Sequence, residues 1–176
     1  MATSFPTIFH YVTAINPDGT SSFHDSPNPP PSVFPNPAFR VDYIYSSLAS
    51  TTGPSFAENA DLKNHLDVAV HSPYIMFPTA GGSVAIVLNF GPNPTGEWGL
   101  MHRTNTLDYL FVINGELELA LDSGEKRVLK AGDAVVQRGP MHAWRNLSKT
   151  EPARMAGVAL GVEGAVKDEI FVQGHK

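Results

Sequence analysis

From Ser83 to Leu160, apolar and polar side chains alternate in short runs: "SVAIVLNF", "DYLFVINGELELAL", "KRVLK", "AVVQR", "HAWRN" and "RMAGVAL". A period of two is that of strands turning one face to a core, and the breaks carry the turn formers "DSGE" and "AGD". Short strands at this spacing predict a sandwich or barrel, and neither a heptad nor a repeat of roughly 20 to 50 residues is visible. Upstream, "IFHYVTAI" and "FRVDYIYSSL" read as two more strands, with "NPDG" (Asn16 to Gly19) as a turn. Eight of the 15 prolines lie between Pro6 and Pro37, crowded in "DSPNPPPSVFPNP", which predicts an extended loop or flap. The stretch "SFAENADLKNHLDVAV" is the one predicted helix, with Ser55 as N-cap and Glu58 three residues on.

The length of 176 residues suits one well-buried core. The expected organisation is a single domain: an extension over 1–80 packing on or over the barrel, a barrel core over 81–162, and a tail over 163–176. Twelve basic against 17 acidic residues leave a net charge of −5, with the cations scattered singly, so nucleic acid and anionic membranes are not expected partners. Cysteine is absent, which excludes disulfides, thiolate metal sites and a cysteine nucleophile. No basic-then-apolar leader opens the sequence and no apolar run approaches the roughly 18 residues of a spanning helix, so a soluble, cytoplasmic protein is expected. "NLS" at Asn146 fits a glycosylation acceptor only formally.

The chemistry-bearing residues sit in two stretches. In "MHRTNTLDYLFVINGE", His102 and Thr104 share a face by strand alternation, and Asp108 opens the next strand after the turn "TNTL". In "AGDAVVQRGPMHAWRN", His142 follows a turn and shares its face with Trp144 and Asn146. Gln137 and Arg138 are polar at the end of an apolar strand, placed either to orient a substrate carbonyl or carboxylate or to form a solvated rim. Tyr43, Tyr45, Trp98, Tyr109 and Trp144 either line a pocket or fill the core. Arg40, which opens its strand, either anchors an acid or caps the proline-rich flap. His10, His24, His65, His71 and His175 lack supporting spacing.

These two stretches together resemble the cupin superfamily over roughly residues 83 to 161. His102 takes the place of the family's first motif histidine, Thr104 that of the second, Asp108 that of the glutamate and Gly115 that of the closing glycine. Gly132, Gly139, His142 and Asn146 follow the second motif, which is one residue short, with Arg138 near the expected proline. The resemblance implies an all-β single cupin (jelly-roll) barrel with an N-terminal strand-and-loop extension and one or two short helices, and a homodimer. It also implies a metal position, where His102, Asp108 and His142 form a two-histidine, one-carboxylate set of the kind that suits iron, zinc or manganese. Thr104 is a poor ligand, and Asp is one methylene shorter than Glu, so the alternatives are a three-ligand site or none.

The sequence is also similar to small single-domain cupins found with biosynthetic enzymes in filamentous fungi, which implies a small-molecule tailoring enzyme. The expected reaction is of lyase or isomerase type, with loss of water or carbon dioxide, or isomerisation, next to a carbonyl of a polyketide-like substrate. In that reading His102, Asp108, His142 and Arg138 are catalytic. Arg40, Tyr43, Tyr45, Trp98, Thr104, Tyr109, Gln137 and Trp144 bind substrate, and no organic cofactor is needed. The alternatives are an iron-dependent dioxygenase using the same three residues and a non-catalytic ligand-binding barrel.

Overall fold

In the computed structural model of the chain, residues 5–24, 30, 32–33, 38–47, 56–70 and 77–163 are described. The proline-rich stretch falls mostly outside them, so the expected flap is not among the described elements. Strands β1 (Val12–Ile15) and β2 (Ser21–His24) form a hairpin closed by the predicted turn, where Gly19 N–H donates to the Asn16 carbonyl at 2.9 Å. There follow β3 (Ser32–Val33), β4 (Phe39–Ser47), helix α1 (Ala60–Val70), β5 (Ser83–Phe90), β6 (Thr106–Asn114), β7 (Glu116–Leu121), β8 (Lys126–Lys130), β9 (Ala134–Arg138), β10 (His142–Asn146) and β11 (Ala153–Gly161).

The strands pair into a six-stranded sheet, β3-β4-β5-β11-β6-β9, and a three-stranded sheet, β10-β7-β8. Both give their inner faces to one apolar cluster: Leu110, Val112 and Met155 come from the first sheet, and Leu117, Leu119, Leu129 and Trp144 from the second. This shared core closes the jelly roll at one end. Toward the other end the inner face passes through Tyr43, Val84 and Ala159 and then turns polar.

The helix begins later than the capping signal predicted. Glu58 and Asn59 have φ of 53° and 54°, so the chain makes a short 3-10 turn over Ala57–Asn59 and enters α1 only at Ala60. A capping box needs its glutamate in the helix, and Glu58 is in the left-handed region instead; Ser55 lies outside the described residues. Tertiary contacts with β4 hold the helix. His65 accepts the backbone N–H of Ser46 at Nδ1 (3.1 Å), and its ring stacks on Tyr45 (4.2 Å between centroids). The Tyr45 hydroxyl donates to Asp61 at 2.8 Å. A strand amide that would otherwise stand open is thereby satisfied.

On the outer face of the large sheet a polar network ties the N-terminal segment to the barrel. Fully buried Asn89 donates to Asp42 and accepts from Arg154, each at 2.7 Å, while Arg40 pairs with Asp42 at 3.0 Å and Arg154 donates to the Pro6 carbonyl. Among the described residues no helix is long and apolar enough to cross a membrane.

Candidate functional site

Strand parity decides which predicted residues meet. Val41, Leu88, Met155 and Val112 lie in register across β4, β5, β11 and β6 with their side chains in the core, which fixes the inner face. Counting by two from there, and through the bulge between Tyr43 and Tyr45, brings Ser46, Val84, Ala159, Asp108 and Gln137 into one inward row. All five are buried. Thr106 continues that face and exchanges a 2.7 Å hydrogen bond with Thr104, both hydroxyls being buried.

The two histidines are joined through their backbones. His102 and His142 each donate an amide to the other's carbonyl at 2.9 Å, and their rings lie 4.4 Å apart. Each ring is held by the same device, a backbone carbonyl two residues upstream: Leu100 for His102 Nδ1 at 2.9 Å and Pro140 for His142 Nδ1 at 3.0 Å. A carbonyl only accepts, so Nδ1 carries the hydrogen, and in the neutral ring the lone pair sits on Nε2. Burial lowers the pKa of His142 to about 4, against 6.5 for an ordinary histidine, the Pro140 carbonyl pulling it upward and the nearby His102 downward. His142 is therefore neutral at pH 7.

Asp108 moves the other way: burial raises its carboxyl above the ordinary range, opposed by a hydrogen bond from Thr106 and by His102. Its Oδ1 is buried and meets no hydrogen-bond partner among the described residues. Directly across on β9, the Nε2 of Gln137 is in the same condition.

Several expectations are corrected by parity. Arg138 neighbours Gln137 on β9, so it turns to the outer face and is exposed, and it is no part of the inward row. Tyr109 is 39% exposed on the outer face beside Val136 and Val158. Arg40 is engaged with Asp42, and Tyr45 with His65 and Asp61, both away from the inward row. Trp98 lies outside the small sheet, with the Arg145 guanidinium 4.4 Å and Lys126 5.2 Å from its ring centre. Trp144 faces inward but is packed into the apolar cluster. Of the predicted residues, the structure gathers His102, His142, Thr104, Asp108, Gln137 and Tyr43 on the inner side.

The expected three-ligand metal set does not assemble. Among the described residues no three His, Cys, Asp or Glu side chains are grouped to hold an ion. Thr104 stands at the second histidine position with its hydroxyl on Thr106, and Asp108 pairs across the sheet with Gln137. Spacing alone did not reveal Thr106, Ser46 or His65. Thr106 and Ser46 become visible only once strand register is known, and His65 only once α1 docks.

Two of the buried histidines predict how stability responds to acid. Burial holds both His65 and His142 at a pKa of about 4, below the unfolded value near 6.5. Between those values the unfolded chain binds protons that the folded chain refuses, so folding stability is lost as pH falls from about 6.5 toward 4. Asp108, with a raised pKa, acts in the opposite sense and offsets part of the loss. Calorimetric melting is expected to give a lower midpoint near pH 5 than near pH 7; an unchanged or higher midpoint would contradict the burial of these rings.

The comparisons with known proteins agree with this architecture. The cupin domain model matches residues 87–160. Oryzines biosynthesis cluster protein J of Aspergillus oryzae is 36% identical over 162 residues, 92% of this chain and 87% of that one. The cupin-domain-containing oxidoreductase srdD of Neurospora crassa is 31% identical over 98% of this chain and 85% of its own length. Phomopsin biosynthesis cluster protein C' of Diaporthe leptostromiformis is 42% identical over 123 residues, of which this chain spans 61% of the relative's length. With its two motif stretches folded into one jelly roll, and two of these relatives matched over 87% and 85% of their own lengths, the chain belongs to the cupin-domain family, alongside the cupin proteins of fungal biosynthesis clusters.

Proposed function

We propose that this chain is a small-molecule tailoring enzyme of fungal secondary metabolism that performs acid–base chemistry next to a substrate carbonyl, as an isomerase or as a lyase releasing water or carbon dioxide. The observation that carries the reading is the His142 ring, buried, neutral and fixed by the Pro140 carbonyl so that its lone pair sits on Nε2. A positioned general base of this kind contributes roughly 100- to 10,000-fold to a rate. For isomerisation or loss of water, His142 takes the proton from carbon and the electron pair left behind moves toward the carbonyl. For loss of carbon dioxide, His142 takes the carboxyl proton, the breaking carbon–carboxyl bond supplies the electron pair to the carbonyl, and the proton returns from His142 to carbon. Asp108, whose carboxyl burial favours in its protonated form, gives a proton to the departing or rearranging oxygen. His102 holds the His142 backbone in register and shares the site.

The direction of the His142 shift bears on the substrate. Burial keeps the ring in its accepting form at neutral pH and makes it a weaker base than an ordinary histidine, which suits a carbon acid already activated by more than one carbonyl or by conjugation. A polyketide-like compound has that property.

A redox reading is supported by relatives such as srdD, which is named an oxidoreductase. One experiment separates the two. The metabolite that accumulates when the chain is deleted from its producing organism is incubated with pure protein in deuterated buffer under an oxygen electrode. Deuterium entering the carbon skeleton without oxygen uptake supports acid–base chemistry. Stoichiometric oxygen uptake without exchange would overturn it in favour of a dioxygenase.

A further inference from the structure

We propose that Asp108 and Gln137 together form a subsite for a hydroxyl group of an uncharged ligand. The proposal rests on the reading of this barrel interior as a ligand site and specifies what it holds. The two residues are opposed across β6 and β9, both point inward, and both are more than nine-tenths buried. Each carries a buried polar atom, Asp108 Oδ1 and Gln137 Nε2, that meets no partner among the described residues. Buried polar groups are paired in the great majority of proteins, so two orphans side by side call for an outside partner. One carboxyl oxygen and one amide N–H₂ are complementary to a group that donates and accepts at once. A hydroxyl does both: its O–H donates to Asp108 Oδ1, and its lone pair accepts from Gln137 Nε2.

The surroundings oppose an anion. Arg40 is held by Asp42, Arg154 by Asn89 and Arg145 by Glu118, and Arg138 is turned outward. A carboxylate ligand would therefore be buried with none of these guanidinium groups to pair its charge, which is costly; Arg103, whose Nε is buried without a partner among the described residues, is the guanidinium left to test. The inward row that holds the pair continues through the apolar Ala159 and Val84, with Tyr43 packed against them, so the carbon body of a ligand would face apolar side chains there.

Four probes of one shape test this: benzyl alcohol, benzaldehyde, benzoate and toluene, titrated into the full chain while the side-chain amide signals of Gln137 are followed by NMR. Benzyl alcohol is expected to move those signals and to bind at least about tenfold more tightly than toluene or benzoate, since a site built around buried polar groups rejects ligands that leave them unpaired. In Gln137→Met and Asp108→Leu that preference disappears. The assignment is overturned if toluene binds as well as benzyl alcohol, if no probe moves the Gln137 signals, or if Gln137 and Asp108 are found bonded to each other. A preference for benzoate would also overturn it and would point to Arg103, whose buried Nε has no partner among the described residues, as an anion anchor. The wild-type titration decides the matter even if a variant fails to fold. Because no turnover is read, this titration tests the subsite alone; the enzymatic reading falls separately, if the deuterated-buffer experiment shows no exchange, and the subsite would then still stand.

Discussion

Alanine at position 142 is expected to lower turnover by roughly 100- to 10,000-fold, the range a positioned general base supplies, while the barrel stays folded. The imidazole is buried and its Nδ1–H is bonded to the Pro140 carbonyl, but that carbonyl belongs to a partly exposed residue that water can reach after the ring is removed. The pairing of His142 with His102 and Leu121 runs through the backbone and survives the substitution. His142→Asn is the sharper control, because it keeps a polar side chain and removes the imidazole base. The measurement is kcat on the accumulated metabolite together with a thermal melt of each variant. Full turnover in both variants would show that the barrel binds its ligand without His142 acting on it, and the acid–base assignment would fall. Parallel loss of activity and folding in alanine, with activity kept in asparagine, would reassign His142 to structure.

The second large effect concerns Gly115, between β6 and β7. Its φ is +80°, where an L side chain costs about 1–2 kcal/mol. A Cβ there would stand 2.6 Å from the Cβ of Ala153 and 2.9 Å from its Cα, at the start of β11. The neighbour is strand backbone in the core and cannot swing aside, so overpacking adds about 1–3 kcal/mol. Gly115→Ala is expected to lose about 2–5 kcal/mol, which in a chain of this size lowers the melting midpoint by roughly 5–15 °C. Denaturant unfolding and calorimetry check it. A midpoint within about 2 °C of wild type would mean that the hairpin and β11 part readily.

The same glycine shows how a motif was legible. Its spacing after Asp108 matched the motif's closing glycine, but alternation read "DYLFVINGELELAL" as one run; the structure divides that run at Gly115 into β6 and β7, through the positive φ and the closeness of β11. The strands from Ser83 onward were readable for a similar reason. An antiparallel jelly roll buries one face of each strand, so the fold writes a period of two into the residues, and "SVAIVLNF" is β5 residue for residue. His142 was legible because a turn delivers it to the start of β10; His102 sits instead in an isolated bridge before β6, and Asp108, expected to open its strand, is the third residue of β6. The start of α1 was not legible: Ser55 and Glu58 carry a cap signal, but His65 on the β4 edge and the left-handed Glu58 decide where the helix begins.

The line between sequence and tertiary structure falls at the register of β9. Local pattern determined that this is an all-β barrel with inward histidines on two stretches, because alternation and turn chemistry are properties of neighbouring residues. It left Gln137 and Arg138 equivalent, two adjacent polar side chains of which alternation lets only one face the interior. Pairing of β9 with β6 places Gln137 opposite Asp108 and turns Arg138 outward, and docking of Trp98 against Arg145 takes another expected ligand contact outside. The expected metal set depends on the same level. Three residues at motif spacing become a coordination set only if three side chains converge on one point, and convergence depends on strand register and side-chain reach, which spacing along the chain does not encode.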